Sequence, residues 1–231
     1  MRIMTFNTQH CLNYVTRAID FEVMAEAIKA CGADVVGLNE MRDEGGHPDF
    51  AAQTRILSEL TGLSYHTFAK AIVLPEGPYG NGLISRYPIL SSEVISVPDP
   101  QSRRYTGHYE SRCLLKVELA NGLTVLVIHM GLNPDERERA VDTVLAHLPA
   151  EKCVLLGDFN AYPDDPVLVP IQNRMKDTAE LFSAPLLSFP SDQPRCKIDY
   201  VFVSPDVEVV AADIPAIVAS DHRPHTADLR L

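Results

Sequence analysis

Near its C-terminal end the chain sets an acid beside an imidazole, in Ser220-Asp221-His222, after the apolar run of residues 214–219. A strand ending there would present both side chains at a sheet edge, open to metal and substrate. Four other polar clusters also stand at the ends of short apolar runs: Asn7, Glu40, Asp158 with Asn160, and Asp199. Glu40 follows Val35-Val36-Gly37-Leu38, with Asn39 between. Carboxylate and amide oxygens are hard donors, suited to Mg²⁺ or Mn²⁺ rather than zinc. The alternatives are a turn at Asn7 and a cap or loop at Glu40.

Gly157-Asp158-Phe159-Asn160 follows Val154-Leu155-Leu156. On an extended backbone the i, i+2 spacing puts Asp158 and Asn160 on one face and turns Phe159 into the core. Such a pair can orient a water for attack on phosphorus; a plain Asx-turn is the competing arrangement. The glycine before Asp158 permits close approach of another backbone or a ligand. His129 closes the run of residues 124–128, either as a phosphate contact or as a core histidine. Asp199, in Lys197-Ile198-Asp199-Tyr200, is a natural partner for an imidazole, fixing its tautomer and raising its pKa. An ion pair with Lys197 is the alternative. His222 is the imidazole that suits Asp199, which leaves Asp221 for metal. Gln9 and His10 beside Asn7, and Asn81 in Tyr79-Gly80-Asn81-Gly82, can line the same site as substrate contacts, or Asn81 makes a turn. His47, His66, His108, His147 and His225 fit no pattern beyond surface or structural histidines.

These residues need strands to hold them. Residues 2–6, 34–38, 81–85, 112–119, 123–129, 152–156, 198–203 and 207–210 read as strands. Several are continuously apolar, which implies burial on both faces in a layered fold. Asp20 caps a helix with Phe21, Met24, Ala25 and Ile28 on one face and Gly32 at its end. A second helix spans about residues 48–60, with Phe50, Leu57 and Leu60 on a face before Gly62. Asn133, Pro134 and Glu136 mark the start of a third, whose apolar side is Ala140, Val141, Val144, Leu145 and Leu148. Residues 74–80, 98–107 and 163–170 read as loops.

The length of 231 residues suits a single domain over residues 1–231, without repeats or linkers. Five scattered cysteines, none in a C-x-x-C arrangement, argue against a disulfide framework and a zinc site. No run approaches membrane-span length, and the N-terminus lacks a signal-peptide core, so a cytoplasmic location is expected. A formal charge of −11 disfavours nucleic acid as partner without excluding it, since a local patch at Arg103-Arg104 remains. Nothing in the sequence sets the oligomeric state.

As an ordered set, the motifs resemble the endonuclease/exonuclease/phosphatase superfamily. They are Asn7, Leu38-Asn39-Glu40, Asn81-Gly82-Leu83-Ile84-Ser85-Arg86-Tyr87-Pro88, Val127-Ile128-His129-Met130, Gly157-Asp158-Phe159-Asn160, Ile198-Asp199-Tyr200 and Ser220-Asp221-His222. That group includes DNase I-like nucleases, apurinic endonucleases, inositol polyphosphate 5-phosphatases and neutral sphingomyelinases. The resemblance implies an α+β fold, a four-layer α/β/β/α sandwich of two packed mixed sheets with outer helices. It also implies Mg²⁺- or Mn²⁺-dependent hydrolysis of a phosphoester. Carried over by motif, Glu40 is the central metal ligand, supported by Asn7, and Asp221 is a further ligand. Asp158 orients or deprotonates water and Asn160 positions it. Asp199 and His222 form the Asp-His pair, and His129 contacts phosphate. Three positions depart from the common pattern: Asn39 stands where Gln is usual, Ile128 where Thr is common, and Gln9 where a second acid is expected.

The reading that follows is a phosphoesterase for a small or lipid-derived substrate, ahead of a nuclease on the same scaffold. A non-catalytic phosphate-binding module comes third, because it would be expected to lack at least one of Glu40, Asp158, Asp199 and His222.

Overall fold

The apolar runs pair into two six-stranded sheets laid face to face in the computed structural model, which describes residues 1–231. In chain order the strands are β1 (Arg2–Asn7), β2 (Val35–Arg42), β3 (Tyr65–Leu74), β4 (Gly77–Ser85), β5 (Ile89–Ser96) and β6 (Cys113–Leu119). They continue with β7 (Thr124–His129), β8 (Cys153–Asp158), β9 (Lys176–Asp177), β10 (Asp199–Val203), β11 (Glu208–Asp213) and β12 (His225–Arg230). The helices are α1 (Phe21–Cys31), α2 (Gln53–Thr61), α3 (Pro134–His147) and α4 (Val169–Gln172). One sheet runs β11-β12-β1-β2-β4-β3 and the other β5-β6-β7-β8-β10-β9.

Alternation along each strand divides the apolar side chains among three interiors. Ile3, Val35, Leu83, Val127 and Leu156 fill the space between the sheets. Met4, Val36 and Leu38 face outward onto Met24 and Ile28 of α1 and Leu57 of α2. Leu126, Ile128 and Leu155 face outward onto Ala140 and Val144 of α3. Continuous apolar strands are thus buried on both faces, which gives the four layers.

The helix boundaries follow local chemistry. Asp20 accepts a hydrogen bond from the Val23 N–H and Gly32 closes α1 at φ 64°. Glu136 accepts from the Asn133 N–H to fix the start of α3, with Pro134 at its first position.

Several expected elements differ. Residues 74–80 are not a loop: β3 and β4 form a hairpin around Pro75 and Glu76, continuing through Pro78 and Gly80. The second helix begins at Gln53 rather than near residue 48, and Phe50 is buried ahead of it. Residues 163–170 carry a 3-10 turn and the start of α4. The run of residues 214–219 is irregular, so Ser220-Asp221-His222 lies in a loop ahead of β12 rather than at a strand end. β3, β5, β9 and β12 had no expected counterpart. All five cysteines are free thiols, and no helix is long and apolar enough to cross a membrane.

Register brings the polar strand ends together. β1 and β2 are parallel with Asn7 opposite Asn39, and β7 and β8 are parallel with His129 opposite Asp158. β10 runs antiparallel to β8, placing Asp199 opposite Asp158. Four strand ends and one strand start converge at one edge of the sandwich.

Candidate active site

Glu40, His129, Asp158, Asn160, Asp221 and His222 line a cleft of about 400 Å³ at that edge. Glu40 reaches it through a bulge in β2, where Asn39 and Glu40 together oppose Asn81 and Glu40 adopts φ 61°. Asn39 then fastens the two sheets. Its Nδ2 donates to Asn81 Oδ1 at 2.9 Å and to the Ile128 carbonyl at 3.0 Å, and its Oδ1 accepts from the Asp158 N–H at 3.0 Å. The chain's shorter substitute for glutamine is therefore a tie between β2, β7 and β8.

Asn7, expected as a metal ligand, is buried at the end of β1 beside Glu40 and Asp158. Its Nδ2 donates to Glu40 Oε1 at 3.1 Å and to Asp158 Oδ2 at 3.0 Å, while its oxygen accepts from the Gln9 N–H. It bridges two carboxylates as a donor, and its oxygen keeps one lone pair beyond the Gln9 contact. Asn81, expected to touch substrate, is 2% exposed and divides its amide between Asn39 and the Cys113 carbonyl. Gln9 and His10 lie at the site's flank in left-handed backbone, with His10 Nδ1 3.9 Å from Glu40 Oε2. Asn160 is not extended either: at φ 48° it closes an Asx-turn, its N–H donating to Asp158 Oδ1, and its Nδ2 donates to the Met130 carbonyl. The Asx-turn and the cleft-lining position occur together.

Asp199 Oδ2 lies 2.8 Å from His222 Nδ1, so His222 Nε2 faces the cleft, 3.6 Å from Asp158 Oδ2. Lys197 pairs with Asp177 at 3.2 Å instead of with Asp199. The His222 ring packs on Phe189 with centroids 4.8 Å apart. Burial opposes a charge on His222, but Asp199 and Asp158 outweigh it and raise its pKa, favouring imidazolium. Burial raises the Asp158 carboxyl, with the His222 charge working against it. His129 is driven well below the usual histidine range by burial and then by Arg112. Burial lifts the Glu40 carboxyl too, but His10, Asn7 and the charge on His222 work against this and hold its pKa below the usual carboxylate range.

Three polar cleft residues were not expected: Tyr79, Glu110 and Arg112. Arg112 Nη1 lies 3.0 Å from His129 Nδ1 and 2.6 Å from Glu110 Oε1. It precedes β6, whose Leu114 pairs with Ile128 of β7, so antiparallel register sets it beside His129. A polar residue at a strand start was the available signal.

Two groupings can receive a cation. One oxygen or nitrogen each from Asp158, Asp199 and His222 lie within 4.8 Å of one another. There, however, His222 is bound to Asp199 and favours the charged form, which repels a metal. Glu40 and Asp221 fit better. Both face the cleft without a lysine or arginine partner, and Asp221 has its pKa raised by burial, with Glu40 adding to that rise. Their oxygen donors match Mg²⁺ or Mn²⁺.

The model for the Endonuclease/Exonuclease/phosphatase family matches residues 4–222. YbhP of Escherichia coli (strain K12) is 23% identical over 259 residues, covering 100% of this chain and 96% of YbhP. An endonuclease/exonuclease/phosphatase from Beutenbergia cavernae superposes with a TM-score of 0.78 at 25% identity, over 100% of this chain and 71% of that one. A mannosyl-6-phosphatase from Bacteroides thetaiotaomicron shares the fold, with a TM-score of 0.75 at 15% identity and full coverage of both chains (100% each).

Proposed function

The chain belongs to the endonuclease/exonuclease/phosphatase family, and from that premise we propose that it is a Mg²⁺- or Mn²⁺-dependent phosphoesterase for a small or lipid-derived substrate. Its family is one of ester-cleaving hydrolases. One observation carries the reading: the Asp199–His222 pair faces Asp158, Glu40 and Asp221 across a single cleft. Residues 1–231 are taken as one catalytic domain.

Glu40 and Asp221 would hold the cation, which when bound neutralises phosphoryl charge and polarises the phosphorus–oxygen bonds. The remaining work falls to the chain's own side chains. His222, charged and backed by Asp199, supplies positive charge to a phosphoryl oxygen. His129 is neutral and accepts at Nδ1 from Arg112, so its Nε2 carries the proton and donates into the cleft. Asp158, with its raised pKa, accepts a proton from the attacking water. Asn160 uses its Nδ2 on Met130, leaving its side-chain oxygen to orient that water.

The net charge of −11 and the paired state of Arg104, 2.6 Å from Glu138, favour a small substrate over a polyanion. A mannosyl-6-phosphatase on the same fold makes sugar phosphates a natural arm of a screen. The other arms are p-nitrophenyl phosphate, bis-p-nitrophenyl phosphate, inositol phosphates, sphingomyelin and plasmid DNA, each with EDTA, Mg²⁺ and Mn²⁺. Metal-stimulated cleavage of a small ester is expected, abolished in Glu40→Ala and slowed in His222→Ala with metal affinity largely kept. Normal turnover by both variants would sink the site assignment. Preferential plasmid cleavage would establish a nuclease instead.

A further inference from the structure

A cavity of about 660 Å³ lies next to the catalytic cleft rather than in it. That is the size of a pocket for a small organic ligand. Its wall includes Tyr162, Phe182, Pro185, Leu186 and Leu187. A backbone bridge joins a residue of the cleft to one of the cavity. Phe189 and Cys196 exchange hydrogen bonds at 3.0 and 3.1 Å. Phe189 and Ile198 face the catalytic cleft, while Leu187, Cys196 and Lys197 face the cavity. On the opposite wall Asn160 belongs to the cleft, and Tyr162 two residues on belongs to the cavity.

The charges of this wall indicate what the cavity accepts. Lys197 is buried, paired with Asp177 at 3.2 Å, and its Nζ sits 3.2 Å from the centre of the Tyr200 ring. Its charge is neutralised within the wall and does not make an anion cradle. Arg195, the other cation there, is exposed to solvent. Apolar side chains are exposed at both spaces, with Leu132 55% exposed at the cleft and Tyr162 59% exposed at the cavity. Seven of the 13 residues that line the cavity are hydrophobic, which suits an apolar occupant.

We propose that this cavity is the subsite for the apolar group of the substrate, a phosphoester with its phosphate in the catalytic cleft and an alkyl or aryl substituent lying across the Phe189–Cys196 bridge. The inference rests on the phosphoesterase reading and narrows its substrate class to amphipathic phosphoesters. A second phosphate or a polyanion would meet a single unpaired cation, the solvent-exposed Arg195.

Two measurements on the full-length protein with Mn²⁺ test it. The first is kcat/KM for methyl, butyl and octyl p-nitrophenyl phosphate, below micelle-forming concentrations. The octyl ester is expected to exceed the methyl ester by roughly tenfold or more, given the gain per buried methylene. Ala184→Trp, which fills the cavity from an exposed position, and Leu187→Glu should each remove that preference while leaving the methyl ester's rate unchanged. The second needs no turnover. Cys196 is the one cysteine that is not buried, and it lies in the cavity wall. Octylphosphonate should slow its alkylation by N-ethylmaleimide, mapped by mass spectrometry, and methylphosphonate should not. Hydrolysis independent of chain length with Cys196 unprotected overturns the subsite and leaves the phosphoesterase standing. No hydrolysis of any ester removes the phosphoesterase, and Cys196 protection then still decides whether the cavity takes the alkyl group.

Discussion

His129 owes its protonation state to Arg112. A guanidinium only donates, so its 3.0 Å contact makes Nδ1 the acceptor and puts the imidazole proton on Nε2, toward Asp158. Arg112→Met should lower kcat/KM by about tenfold to a hundredfold, the worth of a charge-assisted hydrogen bond of about 1.5–3 kcal/mol. Nitrogen NMR of His129 should show the tautomer change; an unchanged tautomer would remove Arg112 from the positioning role. His225 makes a different prediction. Buried between Thr178 Oγ1 and the Asp199 carbonyl, it has its pKa lowered to about 3, by burial first and then by Lys197. Between that value and the unfolded histidine's ~6.5 the unfolded chain binds more protons, so stability is lost as pH falls through the window. At about 1.4 kcal/mol per unit the loss reaches several kcal/mol. Urea midpoints from pH 7 to pH 4 should fall less steeply in His225→Gln, and parallel slopes would refute the assignment. The meeting of Asp199 with His222 was legible from residue type, an acid at a strand start suiting an imidazole, although His222 stands in a loop. Arg112 and His225 were not, because their neighbours are set by strand register and by packing from distant segments.

At the scale of elements, the site depends on two devices that hold strand ends in place. One is the Asn39 tie from the β2 bulge to β7 and β8. Asn39→Ala removes three side-chain hydrogen bonds and leaves buried groups unpaired, which should cost about 3 kcal/mol and uncouple Asp158 from Glu40. Denaturant midpoints and turnover should fall together; lost stability with full turnover would make the tie merely structural. The other is Gly157, at φ 145°, where a Cβ would collide with the Ile128 carbonyl oxygen. Gly157→Ala should destabilise by about 3 kcal/mol through forced separation of β7 and β8, and an unchanged urea midpoint would show that the strands yield freely. The glycine before Asp158 could be read in advance as a close backbone approach. The bulge could not, since Leu38-Asn39-Glu40 carries no glycine or proline to announce it. The β3–β4 hairpin was hidden for the opposite reason: Pro75, Gly77, Pro78 and Gly80 are loop-forming residues, yet pairing with β3 holds three of them within a strand. The run ahead of Ser220 misled because Pro215 and its apolar neighbours have strand composition without a partner strand.

For the molecule as a whole, charge decides among substrates that share one chemistry. The formal charge of −11 was legible from composition, but its arrangement was not. Arg104 pairs with Glu138 and lies 3.9 Å from Asp135, so half of the local basic patch is neutralised in place, while Arg103 lies over the Tyr109 ring and keeps its charge. The cleft itself adds Glu40, Glu110, Asp158 and Asp221 against Arg112 and His222. A DNA-binding face releases about 0.9 counterions per phosphate neutralised, and binding then weakens steeply as salt rises. Of the 20 lysines and arginines, half already lie within 4.0 Å of a carboxylate, and the remainder face an excess of acidic residues. Anisotropy of a labelled 20-base-pair duplex, in Ca²⁺ to suppress cleavage, should show negligible binding at micromolar protein even in 25 mM salt. Any residual affinity should depend on salt with a log–log slope shallower than about −2. Turnover of a small phosphodiester should change little over the same range, because a single phosphate held in a recessed cleft is weakly screened. Submicromolar duplex binding with a steep salt slope would reverse the substrate preference argued from the net charge, while leaving the geometry of the catalytic cleft intact.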